Sequence, residues 1–156
     1  MIKDLRKFSI AIDGSAASGK STASKIIAKR FKFKLLISGE LYRYVAYKML
    51  LNKKKISDKD FLKRITQKIT YKDLKNKRLY LPEVSAYVSS IAKVKFIRDL
   101  LKKFQKNFSK NNKFIIEGRD IASKILPNAD LKLFFRCSVK EKARRRLKDF
   151  KKLNKE

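Results

Sequence analysis

Apolar residues along this chain fall into two rhythms. Four short, nearly unbroken apolar runs stand out: "FSIAI" (Phe8 to Ile12), "KLLIS", "KFIIEG" and "LKLFFRC". Runs of that length beside turn residues predict buried strands. Between them the spacing is helical. Ala23, Ile26, Ile27 and Phe31 share one helix face, and "ELYRYVAYKMLL" predicts a second helix. "SDKDFLKRITQKI" predicts a third, with Ser57 as its cap and Asp60 three residues on. From Glu83 to Phe108 the pattern is helical again, with an apolar stripe of Phe96, Ile97, Leu100, Leu101, Phe104 and Phe108. The segment between Thr70 and Leu81 predicts a small hairpin turning at Asn76. The basic closing segment predicts a helix from about Lys140.

Strands separated by helices imply an α/β fold with a parallel sheet and right-handed crossovers. The long helical excursion before "KFIIEG" implies an inserted lobe. The expected division is a core of about residues 1–51 and 112–156 and an insert of about residues 52–111. The chain has four glycines, Gly14, Gly19, Gly39 and Gly118, and each lies at or just after a predicted strand end. Open α/β sheets bind ligands outside the carboxyl ends of their strands. Glycines gathered there imply a site lined by backbone.

At 156 residues the chain suits one domain with a real core. No apolar run is long enough to span a membrane, and the first ten residues lack the apolar stretch of a leader peptide. Histidine is absent, which excludes histidine triads and histidine zinc sites. The one cysteine, Cys137, sits in an apolar run, so a buried thiol and a reducing cytoplasm are expected. Charge changes the picture more. With 43 Lys+Arg against 14 Asp+Glu, the formal net charge is +29. One reading is a nucleic-acid-binding protein. The other is a composition biased toward residues with AT-rich codons. The lysines lie in every segment rather than in one block, so the second is taken and nucleic acid is not the expected partner.

The candidate chemistry begins at "GSAASGKS". The spacing Gly14-x-x-x-x-Gly19-Lys20-Ser21 is the full phosphate-loop pattern, between a predicted strand and a predicted helix. Glycines let backbone N–H groups turn inward around phosphate oxygens, and the helix aims its positive end at the same point. The loop residues Ser15, Ala16, Ala17 and Ser18, with Thr22 just beyond, complete an ATP cradle. Lys20 suits the β and γ phosphates and the Ser21 hydroxyl suits Mg2+. A mere connecting turn would not explain Lys20 and Ser21 at the helix start.

Two more clusters follow strands. In "SGELYR", Tyr42 offers a ring for stacking and Arg43 a guanidinium for a phosphate, though a core tyrosine and a surface arginine would look the same. In "EGRD", Arg119 can neutralise a phosphoryl group in transfer. Asp120 can accept hydrogen bonds or simply cap the segment that follows.

Taken in order, "AIDGSAASGKST", "SGELYR", "PEVSAYVSSIA", "IRDLL" with Gln105, and "IIEGRDI" before "LPNADLKLFF" resemble bacterial cytidylate kinase. That family consists of nucleoside-monophosphate kinases on a P-loop fold. The resemblance covers nearly the whole chain. It implies transfer of the γ-phosphoryl of ATP to CMP or dCMP with Mg2+, by a cytoplasmic monomer. It also implies roles by position. Lys20 and Arg119 would be catalytic. Ser38, Tyr42 and Arg43 would hold the monophosphate side, with Arg43 and Arg119 on the acceptor phosphate. Ser89, Arg98 and Asp120 would read the cytosine. Cytosine offers an N4 donor beside N3 and O2 acceptors, which a carboxylate and a guanidinium match; uracil would mispair with both.

The chain departs from the family in places. Ile37 stands where the family usually has Asp, and Ala122 and Ser123 stand where it has Gly and Thr. The family continues past the "ARRR" helix into a lid with further arginines, an edge strand and a last helix. This sequence ends at Glu156, with Arg144, Arg145 and Arg146 as a lid stem at most. It therefore reads as a member cut short, and ordinary turnover is not expected of it. The rival readings are a basic nucleic-acid-binding module on a P-loop fold and a different P-loop small-molecule kinase.

Overall fold

In the computed structural model, residues 7–153 are described, apart from the side chains of residue 146 and residues 148–153. Most of the stretch behind the leader reading, the side chain of Arg146 and the chain end at Glu156 lie outside them. Four strands form one sheet: β1 (Phe8–Gly14), β2 (Lys34–Ile37), β3 (Lys113–Gly118) and β4 (Leu131–Phe135), in the order β2-β3-β1-β4. β1 runs parallel to β3 and to β4, with Asp13 opposite Gly118 and Gly14 opposite Phe135. The helices are α1 (Lys20–Phe31), α2 (Ser38–Leu51), α3 (Lys59–Gln67), α4 (Pro82–Lys93), α5 (Lys95–Phe108) and α6 (Val139–Leu153). The α/β architecture with a parallel sheet is as the apolar pattern predicted.

The chain divides into two compact units, residues up to Leu36 with those from Asn111 onward, and Ile37–Lys110. The second unit begins ahead of α2, where the sequence reading began its insert near residue 52. The reason is that α2 packs against α3, α4 and α5.

In the sheet unit, Ile10, Ile12, Ala28 and Ile115 form a buried cluster, with Phe8, Ile27, Phe33, Leu35, Leu133 and Phe135 against it. Asp130 fastens the start of β1 by accepting from the backbone N–H of Ser9 at 2.7 Å and its hydroxyl at 2.8 Å. The face of α1 that the sequence suggested is buried only in part: Ile27 packs against the core, but two of its other members do not. Ile26 and Phe31 are 61% and 52% exposed, and the buried positions are Ser24 and Ala28. Two small residues one turn apart let the helix lie close to the sheet, which apolarity alone does not signal. Cys137 is half-buried rather than buried, because it follows β4, a strand at one edge of the sheet order.

In the helical unit, Leu41, Val45, Met49, Leu62, Leu74, Leu79, Ile91, Ile97 and Leu101 are fully enclosed or nearly so. Two expectations fail here. The Thr70–Leu81 segment is not a hairpin but two short 3₁₀ turns, Asp73–Lys75 and Lys77–Tyr80. Asp73 accepts from the N–H of Thr70, Asn76 accepts from the N–H of Arg78, and each turn buries one leucine, Leu74 or Leu79. The helical pattern from Glu83 to Phe108 is borne out as two helices, α4 and α5, separated at Val94, which is extended (φ −77, ψ 112). Arg98 donates there to the carbonyls of Ala92 at 3.1 Å and Lys93 at 3.0 Å, satisfying the orphan end of α4. Finally, the cap of α3 is Asp58, whose carboxylate accepts from the N–H of Phe61 at 3.0 Å; Ser57 lies one residue too early. Asp58→Ala is expected to lower the urea midpoint of unfolding while Ser57→Ala leaves it in place. Equal effects of the two would contradict this assignment.

Candidate active site

The loop from Gly14 to Gly19 joins β1 to α1 through two left-handed residues, Ala17 (φ 58) and Gly19 (φ 93). Gly14 is required by close approach: a Cβ there would lie 2.7 Å from the carbonyl oxygen of Phe135. A Cβ on Gly19 would lie 2.9 Å from Nη1 of Arg145. Ser15, Ala16 and Thr22 are exposed, and Ser18 is buried. The Ser18 hydroxyl has no hydrogen-bond partner, alone in this among the buried side-chain polar atoms of the described residues. An orphan of that kind costs about 1–3 kcal/mol, which a phosphate oxygen in the loop would offset. The loop therefore fits the polyphosphate that the sequence pattern calls for.

Lys20 and Ser21 open α1, and both meet Glu117 near the end of β3. The Lys20 ammonium lies 3.4 Å from Glu117 Oε1 and donates to the carbonyl of Ser15 at 3.2 Å. The Ser21 hydroxyl donates to Glu117 Oε2 at 2.8 Å. Glu117 is 2% exposed, so this carboxylate is held by one cation and one hydroxyl. The sequence reading gave it no role. Its signal was a carboxylate closing an otherwise apolar strand one residue before Gly118. Arg145 was missed as a loop residue too. It reaches from α6 to the Ala17 carbonyl at 3.4 Å while Glu141 accepts from its Nε at 2.7 Å. Hydrogen bonds from Arg144 and Arg145 hold the Glu141 carboxyl down at about 2. The donor set of Lys20, Ser21, Glu117 and Arg145 suits a divalent cation and a polyphosphate together.

Arg119 and Asp120 follow β3 directly, and both are exposed. Asp120 has left-handed backbone (φ 58, ψ 25) and does not cap the next turn with its side chain; its carboxylate pairs with Lys124 at 2.7 Å.

The remaining candidates lie in the helical unit. Ser38, at the start of α2, is 4% exposed, and its hydroxyl accepts from the Gln105 amide at 2.8 Å. Arg43 donates through Nη1 to the Leu79 carbonyl at 3.0 Å and the Ser85 hydroxyl at 2.7 Å, with its guanidinium 4.8 Å from the Tyr80 ring centre. The Tyr80 hydroxyl donates to Glu40 at 2.9 Å. Burial raises the Tyr42 phenol above its ordinary value, and the nearby charge of Arg98 acts against that rise. Ser89 is exposed on α4.

The family model described as cytidylate kinase matches residues 10–156. This chain belongs to the cytidylate kinase family. A relative named cytidylate kinase from Pseudothermotoga lettingae is 36% identical over 161 residues, covering 96% of this chain and 71% of the relative. Relatives of the same name from Fusobacterium nucleatum and Listeria monocytogenes are 35% and 36% identical. They cover 90% and 92% of this chain and 69% and 70% of their own lengths. The family match spans the phosphate loop, the α2 cluster and the turn after β3.

Two measurements check the local geometry. Gln105→Leu strands the buried Ser38 hydroxyl and is expected to cost about 1–3 kcal/mol of stability. Adding Ser38→Ala should recover part of that loss, and purely additive effects would show that the two side chains are not coupled. For Tyr42, the folded value lies above the unfolded one, so the neutral phenol favours folding below pH 10.0 and that contribution is lost as pH rises through the folded value. The phenolate absorbance difference between wild type and Tyr42→Phe should have its midpoint above pH 10.0, and Arg98→Ala should move it higher.

Proposed function

We propose that this chain transfers the γ-phosphoryl of ATP to CMP or dCMP, giving ADP and the nucleoside diphosphate. The family match over residues 10–156 carries the reading, because it runs through both the donor loop and the residues expected at the acceptor. The loop Gly14–Gly19, Lys20, Ser21 and Thr22 takes the ATP phosphates. Ser21, beside Glu117, would hold Mg2+, which when bound neutralises charge on the phosphate oxygens. Lys20 and Arg145 add fixed positive charge on the same side of the reaction. Arg43 and Arg119 take the acceptor phosphate, Tyr42 lies along the base, and Ser89, Arg98 and Asp120 read the cytosine edge. Ser38 serves α2 through its buried bond to Gln105. In-line transfer needs little covalent chemistry from the protein; positioning and charge do the rest. A cytoplasmic monomer is part of the same proposal. Among the described residues no helix is long and apolar enough to cross a membrane.

The family match leaves the nucleic-acid reading of the +29 charge without support of its own. Coupled ADP release with Mg-ATP is expected to depend on CMP or dCMP, and Lys20→Ala should reduce it about a hundredfold or more. CMP should also raise the melting temperature more than UMP or AMP does. ADP release indifferent to the acceptor, with no preference among the three monophosphates, would overturn the reading.

A further inference from the structure

Arg119 and Asp120 stand on an exposed turn, and Asp120 adopts a backbone conformation that a residue with a side chain rarely holds. Such a conformation persists only where its surroundings over-determine it. The surroundings here are chiefly one carboxylate. Asp13, next to last in β1, is 6% exposed. Its Oδ1 accepts from the N–H of Ile121 at 2.7 Å and its Oδ2 from the N–H of Ala122 at 2.8 Å. Those are the first two amides after Asp120, and they open the single helical turn Ile121–Ile125. From the far side the Lys124 N–H closes onto the Asp120 carbonyl at 2.9 Å and the Leu126 N–H onto that of Ile121 at 2.7 Å. The two residues that face the acceptor are thus followed at once by amides bolted to β1. Asp13 also pairs in register with Gly118 and is bonded to Gly14, where the phosphate loop begins.

We propose that Asp13 is a positioning residue for acceptor recognition: by holding the Ile121 and Ala122 amides it sets Arg119 and Asp120 toward CMP. This rests on the acceptor reading above. A carboxylate is the side chain for this task. It offers one acceptor oxygen to each of two successive donors, and its charge strengthens both bonds. Asparagine keeps the shape but turns one acceptor into a donor facing an N–H.

Equilibrium binding to the whole chain tests this without depending on turnover. Asp13→Asn is expected to weaken CMP about tenfold, the size of one lost buried bond. It should also narrow the preference for CMP over UMP and leave Mg-ATP affinity within about twofold, because Lys20, Ser21 and Glu117 are untouched. In amide exchange, Ile121 and Ala122 should lose protection while β1 and β3 keep theirs. Asp120→Ala should narrow the base preference and leave that protection intact. If Asp13→Asn does not fold, Ala122→Pro deletes the second donor alone, in a first turn that tolerates proline, and should give the same selective loss for CMP. Wild type without any cytosine preference would refute the acceptor reading. Wild type that prefers CMP, with variants that keep that preference or lose CMP and ATP alike, would refute the role of Asp13 alone.

Discussion

Two carboxylates are buried at the carboxyl ends of the two adjacent central strands, Asp13 on β1 and Glu117 on β3, at 6% and 2% exposure. Buried polar groups need hydrogen-bonding partners. The two are satisfied differently. Asp13 is held by two backbone amides, which belong to the fold and have no better offer. Glu117 is held by the side chains of Lys20 and Ser21, which a phosphate and a cation can claim. One carboxylate therefore fixes the shape of the strand ends, and the other keeps the phosphate loop's reactive groups in place until a ligand replaces them. The glycine at 14 and the left-handed residues at 17 and 19 let the loop wrap that arrangement closely.

The same scarcity explains the charge. With 14 acidic residues among 43 basic ones, most lysines cannot find an anion. Acids with structural work include Asp13, Glu117, Asp130 at the start of β1, Asp58 at the head of α3, Asp73 in its 3₁₀ turn and Glu141, which holds Arg145. Pairs such as Lys63–Asp60 and Lys95–Asp99 are exposed and contribute little. The fold is held by its two apolar cores against its own repulsion, and the lysines are solvated.

The strands and the phosphate loop were legible because their signals are one-dimensional: an apolar run, then glycines at fixed spacing. What was not legible was decided by side-chain bonds to backbone and by packing, which an apolar pattern does not register. No glycine or proline marks the break at Val94; Arg98 makes it by reaching back to the carbonyls of Ala92 and Lys93. The 3₁₀ turns in place of a hairpin follow from burying Leu74 and Leu79 and from local bonds by Asp73 and Asn76, which compete with strand pairing. On α1 the buried Ser24 outranked the apolar Ile26, because closeness to the sheet mattered more than hydrophobicity. In the site, the residues with family motifs could be named, while Glu117, Arg145 and Asp13 needed the sheet and α6 in three dimensions to acquire roles.

The arginines assigned to the acceptor show one more consequence of folding first and binding second. In this structure Arg43 donates to a carbonyl and a serine hydroxyl, and Arg98 closes the end of α4. Recognition by these two side chains is then an exchange of partners as much as an addition. A neutral carbonyl gives way to a phosphate or to the base edge. A phosphate would add an anion's charge to that of the guanidinium and can be gripped bidentately, so the exchange would favour the phosphate at Arg43. At Arg98 the base edge is neutral and the gain is smaller, while the carbonyls of Ala92 and Lys93 would be left to find water. The α4–α5 junction is exposed enough for water to serve, since Lys93 and Arg98 both face solvent. On the proposed acceptor reading, Arg43 would favour binding through charge and Arg98 would discriminate between bases through fit, because only a correctly placed pair of acceptors would repay leaving the helix end.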